Sequence, residues 1–96
     1  MRYLVVHPLP VGMTREDVIN IQKSAQTDKD IRGYRSFLNL SEGKGFCVFD
    51  APSKERLSEW LRKQDLAFDY ITEVELEGEY GRIVETPVTV GTTTGL

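Results

Sequence analysis

Hydrophobic positions along this chain switch between a period of two and a period near 3.6, and the switches outline six elements. Residues 3–7 (YLVVH) are aromatic and β-branched and are stopped by Pro8, which predicts a first strand. After the loop PLPVGM, Thr14 is a good N-cap, with Glu16 and Asp17 in the first turn to suit the helix dipole. Val18, Ile21 and Ala25 then recur at helical spacing and carry a helix to about Thr27. Residues 31–40 (IRGYRSFLNL) read as strand two and residues 45–50 (GFCVFD) as strand three, joined by a turn in which Gly43 is available for positive φ. Ser53 caps a second helix whose apolar stripe is Leu57, Trp60 and Leu61. Residues 70–77 (YITEVELE) alternate as strand four, with Tyr70, Thr72, Val74 and Leu76 on one face and Ile71, Glu73, Glu75 and Glu77 on the other.

The order β-α-β-β-α-β predicts an α+β ferredoxin-like sandwich, a four-stranded antiparallel sheet with both helices on one face. Strands one and three are then central. The opposite sheet face has no helix over it and must be polar or covered by something else. Residues 1–78 form this domain. Residues 79–96 form a C-terminal tail, partly extended, in which Ile83-Val84 and Val88-Thr89-Val90 have the character of an additional edge strand, on this chain or on a partner. Its Thr-Thr-Thr-Gly end is expected to be mobile.

Composition narrows the function more than it names it. A 96-residue chain with 40% apolar residues has a lean core, which favours a homodimer that hides surface a monomer leaves wet. A net charge of −3 argues against a nucleic-acid partner, which needs clustered Lys and Arg. No apolar run approaches the ~20 residues of a membrane helix, and the run near the N-terminus is too short for a signal peptide. A soluble cytoplasmic protein is the expectation. Cys47 is the sole cysteine, so folding does not rest on an internal disulfide.

The third strand carries the candidate chemistry. Lys44-Gly45-Phe46 begins like the RNA-reading strand of an RNA-recognition module, and Tyr3 stands at a plausible stacking position on strand one. The pattern then breaks: Val48 and Ala51 replace stacking aromatics, and Glu73 and Glu75 would repel phosphate. RNA binding is not expected. A metal reading rests on His7, Cys47 and Glu73. Strand one lies between strands three and four, so its last residue, His7, comes near the start of each neighbour. Imidazole, thiolate and carboxylate are common donors to nickel, zinc or copper. Strand register decides the matter, because His7 opposite Cys47 or Gly45 shares a face with the thiol, whereas His7 opposite Phe46 does not. The plain alternatives are a cysteine acting as a small core hydrophobe, a hydrogen-bonded histidine and a wet row of glutamates.

An enzyme or small-molecule binder is the competing class. Tyr3, Tyr34, Phe37, Phe46, Phe49 and Trp60 are rings that could line a pocket near His7. His7 oriented by Glu73 or Asp50 is a candidate general base, and Cys47 a nucleophile if Arg35 lowers its pKa. With no Ser/His/Asp set, no phosphate-cradling loop and no second histidine, no catalytic residues are assigned.

Four segments, VVHPLP, MTREDV, GKGFCVFDAPSKE and DYITEVELE, resemble a family of small nickel-binding ferredoxin-like proteins, otherwise a domain of unknown function. The resemblance spans residues 3–77. A Val-His pair ends the family's first strand, a Phe-Cys pair sits in the third and an acidic-Val pair in the fourth; His7, Cys47 and Glu73 match those positions. The chain departs from it in the helices, where Gln22 and Leu61 stand in place of histidines and Ala25 in place of an aspartate. The resemblance implies the fold, a dimer, and nickel or a similar divalent transition metal as ligand. The expected function is therefore a small cytoplasmic binding protein for such a metal. A dimeric enzyme or small-molecule binder, or an interaction module with no ligand, is the alternative.

Overall fold

The computed structural model describes residues 1–86; the segment Val88-Thr89-Val90 and the Thr-Thr-Thr-Gly end lie outside them. Strands β1 (Arg2–Pro8), β2 (Arg32–Asn39), β3 (Lys44–Asp50) and β4 (Tyr70–Glu73), with helices α1 (Arg15–Ala25) and α2 (Lys54–Lys63), follow the order expected of a ferredoxin-like α+β sandwich. The sheet runs β2-β3-β1-β4, antiparallel throughout, with β1 and β3 in the middle. No helix among the described residues is long and apolar enough to cross a membrane.

Alternation sorts each strand between two environments. On β1, Tyr3, Val5 and His7 are buried against the helices, while Leu4 and Val6 are half-buried on the other face. On β3, Cys47 and Phe49 join the same buried side. The core is completed by Ile31, Ala51, Leu57, Trp60, Leu61 and Ile71. Phe49 and Trp60 meet at 5.5 Å between ring centroids and 58° between planes, a tilted aromatic contact.

The two helices are seated unequally. Ser53 caps α2 through the Arg56 amide, and α2 buries Leu57, Trp60 and Leu61. Thr14 and Asp17 close a reciprocal capping box on α1, yet α1 buries only Ala25, with Val18 and Ile21 half-buried. A helix held so lightly leaves space beneath it, and a cleft of about 310 Å³ lies there.

Strand four ends sooner than its alternation suggests. The Val74 amide still bonds the Arg2 carbonyl at 2.9 Å, and then the chain leaves the sheet. Residues 76–79 instead form β5 (Leu76–Glu79), which pairs with β6 (Arg82–Glu85) in a separate hairpin. The hairpin crosses the division drawn at residue 78 and gives Ile83-Val84 its strand, although not on the main sheet. Tyr80 (φ 50°) and Gly81 (φ 83°) turn it, the two positive φ values that a two-residue hairpin loop needs. Glu77 ties it back. Arg2 forms a two-bond fork with Asp50 (2.7 and 3.0 Å), reaches Glu77 at 2.6 Å, and lies 3.8 Å over the Tyr34 ring.

Candidate metal centre

The register answers the question left open by the sequence. His7 stands opposite Gly45, and Val5 stands opposite Cys47, so His7 and Cys47 point the same way from neighbouring central strands. Glycine at position 45 makes room for the ring. A Cβ there would come within 3.1 Å of His7 Cδ2 and Nε2 and 3.2 Å of Leu38 Cδ2. The imidazole lies across that glycine and puts Nε2 3.1 Å from Cys47 Sγ. Both groups are nearly sealed from bulk solvent, at 5% and 8% exposure, and both edge the cleft under α1.

Burial sets their protonation. It pushes the His7 imidazole below its ordinary value, against smaller upward pulls from the Ala67 backbone and the Asp69 carboxylate. It pushes the Cys47 thiol up, against a smaller downward pull from the Ser36 hydroxyl opposite it. The pair at neutral pH is thus imidazole and thiol, not an imidazolium–thiolate pair. Nε2 and Sγ lie within hydrogen-bonding distance, and the imidazole tautomer sets which of them donates. Arg35 stands opposite Val48, not Cys47, and does not figure among the influences on the thiol. Among the described residues, no cation counters the burial that raises the thiol's pKa, as an activated nucleophile would need.

Glu73 does not join them. It pairs with Tyr3, four positions along β1 from His7, which at about 3.3 Å per residue puts it roughly 13 Å away. It borders a separate hollow with Met1, Tyr3 and Ser53. The acidic residue at the His7 end is Asp69, whose amide bonds the Val6 carbonyl at 2.7 Å. Among the described residues, no group of three or more His, Cys, Asp or Glu side chains converges on one point. The expected trio is thus a pair, His7 and Cys47.

The rings proposed as a pocket lining lie in three settings, and Phe49 belongs to two of them. Tyr3, Phe49 and Trp60 are buried core, Phe37 and Phe46 lie on the sheet's uncovered side, and Tyr34 and Phe49 border the cleft. Its walls also include Gln22 and Ala25, two of the positions where the chain departs from the family pattern, together with Gln26 and Ser36. Leu61, the third departure, is wholly buried in the core. Sequence reasoning missed Gly45 and Ser36 as parts of this site. A glycine inside a strand is the available signal for the first, since it marks a place of close approach.

The family model described as "Nickel responsive protein SCO4226-like" matches residues 3–74. The solved structure titled "Crystal structure analysis of SCO4226 from Streptomyces coelicolor A3(2)" superposes with a TM-score of 0.68 at 18% sequence identity, covering 81% of this chain and 100% of that one. No curated protein matches the chain.

Proposed function

Because this chain belongs to the SCO4226-like family of nickel-responsive proteins, we propose that it is a small binding protein for a divalent transition metal, nickel foremost, held by His7 and Cys47. The observation that carries the reading is the 3.1 Å approach of His7 Nε2 to Cys47 Sγ at the edge of a cleft. Metal–nitrogen and metal–sulfur bonds of about 2.0–2.1 and about 2.3 Å, meeting at a right angle, separate their donors by about 3.1 Å; a tetrahedral angle separates them by about 3.6 Å. The observed 3.1 Å brings the two donors within reach of one ion. The donor types fit as well, imidazole nitrogen with thiolate sulfur.

The protein's own groups prepare the pair. Burial keeps His7 neutral, and Nε2 offers a lone pair in the tautomer whose proton sits on the other ring nitrogen. Cys47 must lose its proton to become a ligand, and a bound divalent ion supplies the charge that holds it as thiolate. Ser36 is positioned to hydrogen-bond that thiolate. A reducing compartment such as the cytoplasm would keep Cys47 available.

Nickel titration of the metal-free protein, followed by sulfur-to-metal charge-transfer absorption and native mass spectrometry, tests the reading. One ion per chain is expected, with one proton released near neutral pH. Cys47→Ser should abolish the absorption and His7→Ala should weaken binding by at least tenfold. Unchanged stoichiometry in the double variant would overturn it.

We also propose that the working form is a homodimer. On the uncovered sheet face, Phe37, Phe46, Val6 and Tyr70 form one row across all four strands, each opposite the next. Phe37 and Tyr70 are more than half exposed. Such a row is apolar surface of the kind that a second copy covers. Light scattering at micromolar concentration should give twice 10.9 kDa, and Phe46→Lys should halve it. A monomer at 100 µM would remove this part of the proposal.

A further inference from the structure

We propose that the cleft under α1 is a binding site for a small uncharged molecule with a compact apolar body and one hydroxyl group. This site extends beyond the His7–Cys47 pair and needs no metal. Three features point to it.

The first is unfilled volume. Packed interiors leave few voids larger than a water molecule. This cleft holds about 310 Å³, against about 30 Å³ for a water's share of the liquid, so roughly ten waters would be needed to fill it. The sheet bounds it on one side and α1 on the other. Its size is that of a small-molecule site, with room for a single substituted ring and not for a peptide.

The second is the apolar part of the wall. Val18 and Ile21 on α1, Leu38 on β2 and Leu66 after α2 all border the cleft, and none of them is fully buried by the chain itself. Helix α1 commits only Ala25 to the core, so an apolar guest supplies packing that Val18 and Ile21 lack.

The third is the balance of charge and hydrogen bonding. On its sheet side the cleft meets His7, Cys47 and Ser36, with Ser36 opposite Cys47. Burial holds the imidazole and the thiol in their neutral forms. Among the described residues, Arg35 is the one Lys, Arg, Asp or Glu that borders the cleft. It is exposed and stands opposite Val48, on the sheet's uncovered side. An ion entering the cleft would therefore lose water without gaining a buried counter-charge. A hydroxyl suits the neutral groups because it both donates and accepts, whichever tautomer His7 holds. Ser36 on the sheet and Gln22 on the helix offer it further uncharged partners.

The test titrates the metal-free full chain with three probes of similar shape, p-cresol, toluene and p-toluate, followed by amide and methyl resonances. p-Cresol should saturate with a dissociation constant of about 1 mM or tighter. Its ring should give nuclear Overhauser contacts to the Val18 and Ile21 methyl groups. Toluene lacks the hydroxyl and p-toluate carries a charge, so each should bind about fivefold more weakly or worse. Ser36→Ala removes one oxygen, and it should weaken p-cresol by roughly threefold or more while leaving toluene unchanged. Equal affinity for toluene or p-toluate, or a p-cresol affinity unmoved by Ser36→Ala, would overturn the chemical class. Failure of all three probes to saturate, or contacts confined to Phe37 and Phe46 on the uncovered sheet face, would overturn the site.

Discussion

Replacing Gly45 with alanine should disturb the candidate centre through a single methyl group. A Cβ at that position would lie 3.1 Å from His7 Cδ2 and Nε2, and 3.2 Å from Leu38 Cδ2. Comfortable carbon contacts are about 3.5–4.0 Å, so the ring must withdraw by roughly 0.4–0.9 Å. It cannot withdraw toward Cys47, because Nε2 is already 3.1 Å from Sγ. It has to swing toward the cleft and give up the thiol. Overpacking of this kind costs about 1–3 kcal/mol, less the few tenths to 1 kcal/mol that Gly→Ala gains by stiffening the unfolded chain. Urea denaturation of the metal-free protein should therefore show a loss of roughly 0–2.6 kcal/mol, and nickel affinity should fall with it. The decisive measurement is the double-mutant cycle with His7→Ala. With the ring gone, the added methyl meets only Leu38 Cδ2 at 3.2 Å, and Gly45→Ala should cost clearly less than in the wild type. An equal cost in both backgrounds would refute the claim that glycine is needed there to seat the imidazole.

Three further outcomes are expected. Metal-free stability should be level between about pH 6.5 and about pH 9 as far as these two groups act. Below that window the unfolded histidine takes a proton that the buried ring refuses, so stability falls with falling pH; above it the unfolded thiol releases a proton that the buried thiol keeps, so stability falls with rising pH. Comparing denaturation midpoints of His7→Gln and Cys47→Ala with wild type checks each limb, and a limb that persists without its residue belongs to another group. Arg2→Met should cost about 2–4 kcal/mol, because it strands the Asp50 and Glu77 carboxylates, whereas Glu77→Gln should cost under about 1 kcal/mol since that side chain is 25% exposed. Hydrogen exchange across residues 76–85 should quicken in both, and an Arg2→Met protein as stable as wild type would remove the anchoring role. Thr14→Ala should lose about 1 kcal/mol by opening the capping box, read by thermal denaturation.

What the sequence revealed, and what it hid, follows from the range of the forces involved. Alternation in β1 and β3 is local and makes both strands legible, but it leaves open which face turns inward: Tyr3, read as a plausible base-stacking position, is buried on the helix side. The helix caps at Thr14 and Ser53 are equally local. Register is not. Whether His7 meets Gly45 or Phe46 is a matter of pairing between β1 and β3, which are distant in sequence: the Leu9 amide reaches the Gly43 carbonyl at 2.9 Å across 34 residues. Glu73 was misplaced for the same reason: pairing with β1 begins at the Asp69 amide, so the strand's acidic end lies beside Tyr3. The break after Glu73 is harder still to read. Period-two alternation continues through Val74, Glu75 and Leu76, with no proline or glycine at the bend, and only the Tyr80-Gly81 turn betrays the hairpin. Tyrosine at the first turn position is a weaker signal than the Asn or Asp usual there.

The light seating of α1 has a consequence for how occupancy of the cleft would be felt. A helix that commits one side chain to the core should lift from the sheet at far lower free energy than global unfolding requires, and its amides should exchange early. Anything lodged beneath it would pin it down. Filling the cleft should then slow hydrogen exchange of the α1 amides while leaving that of the sheet unchanged.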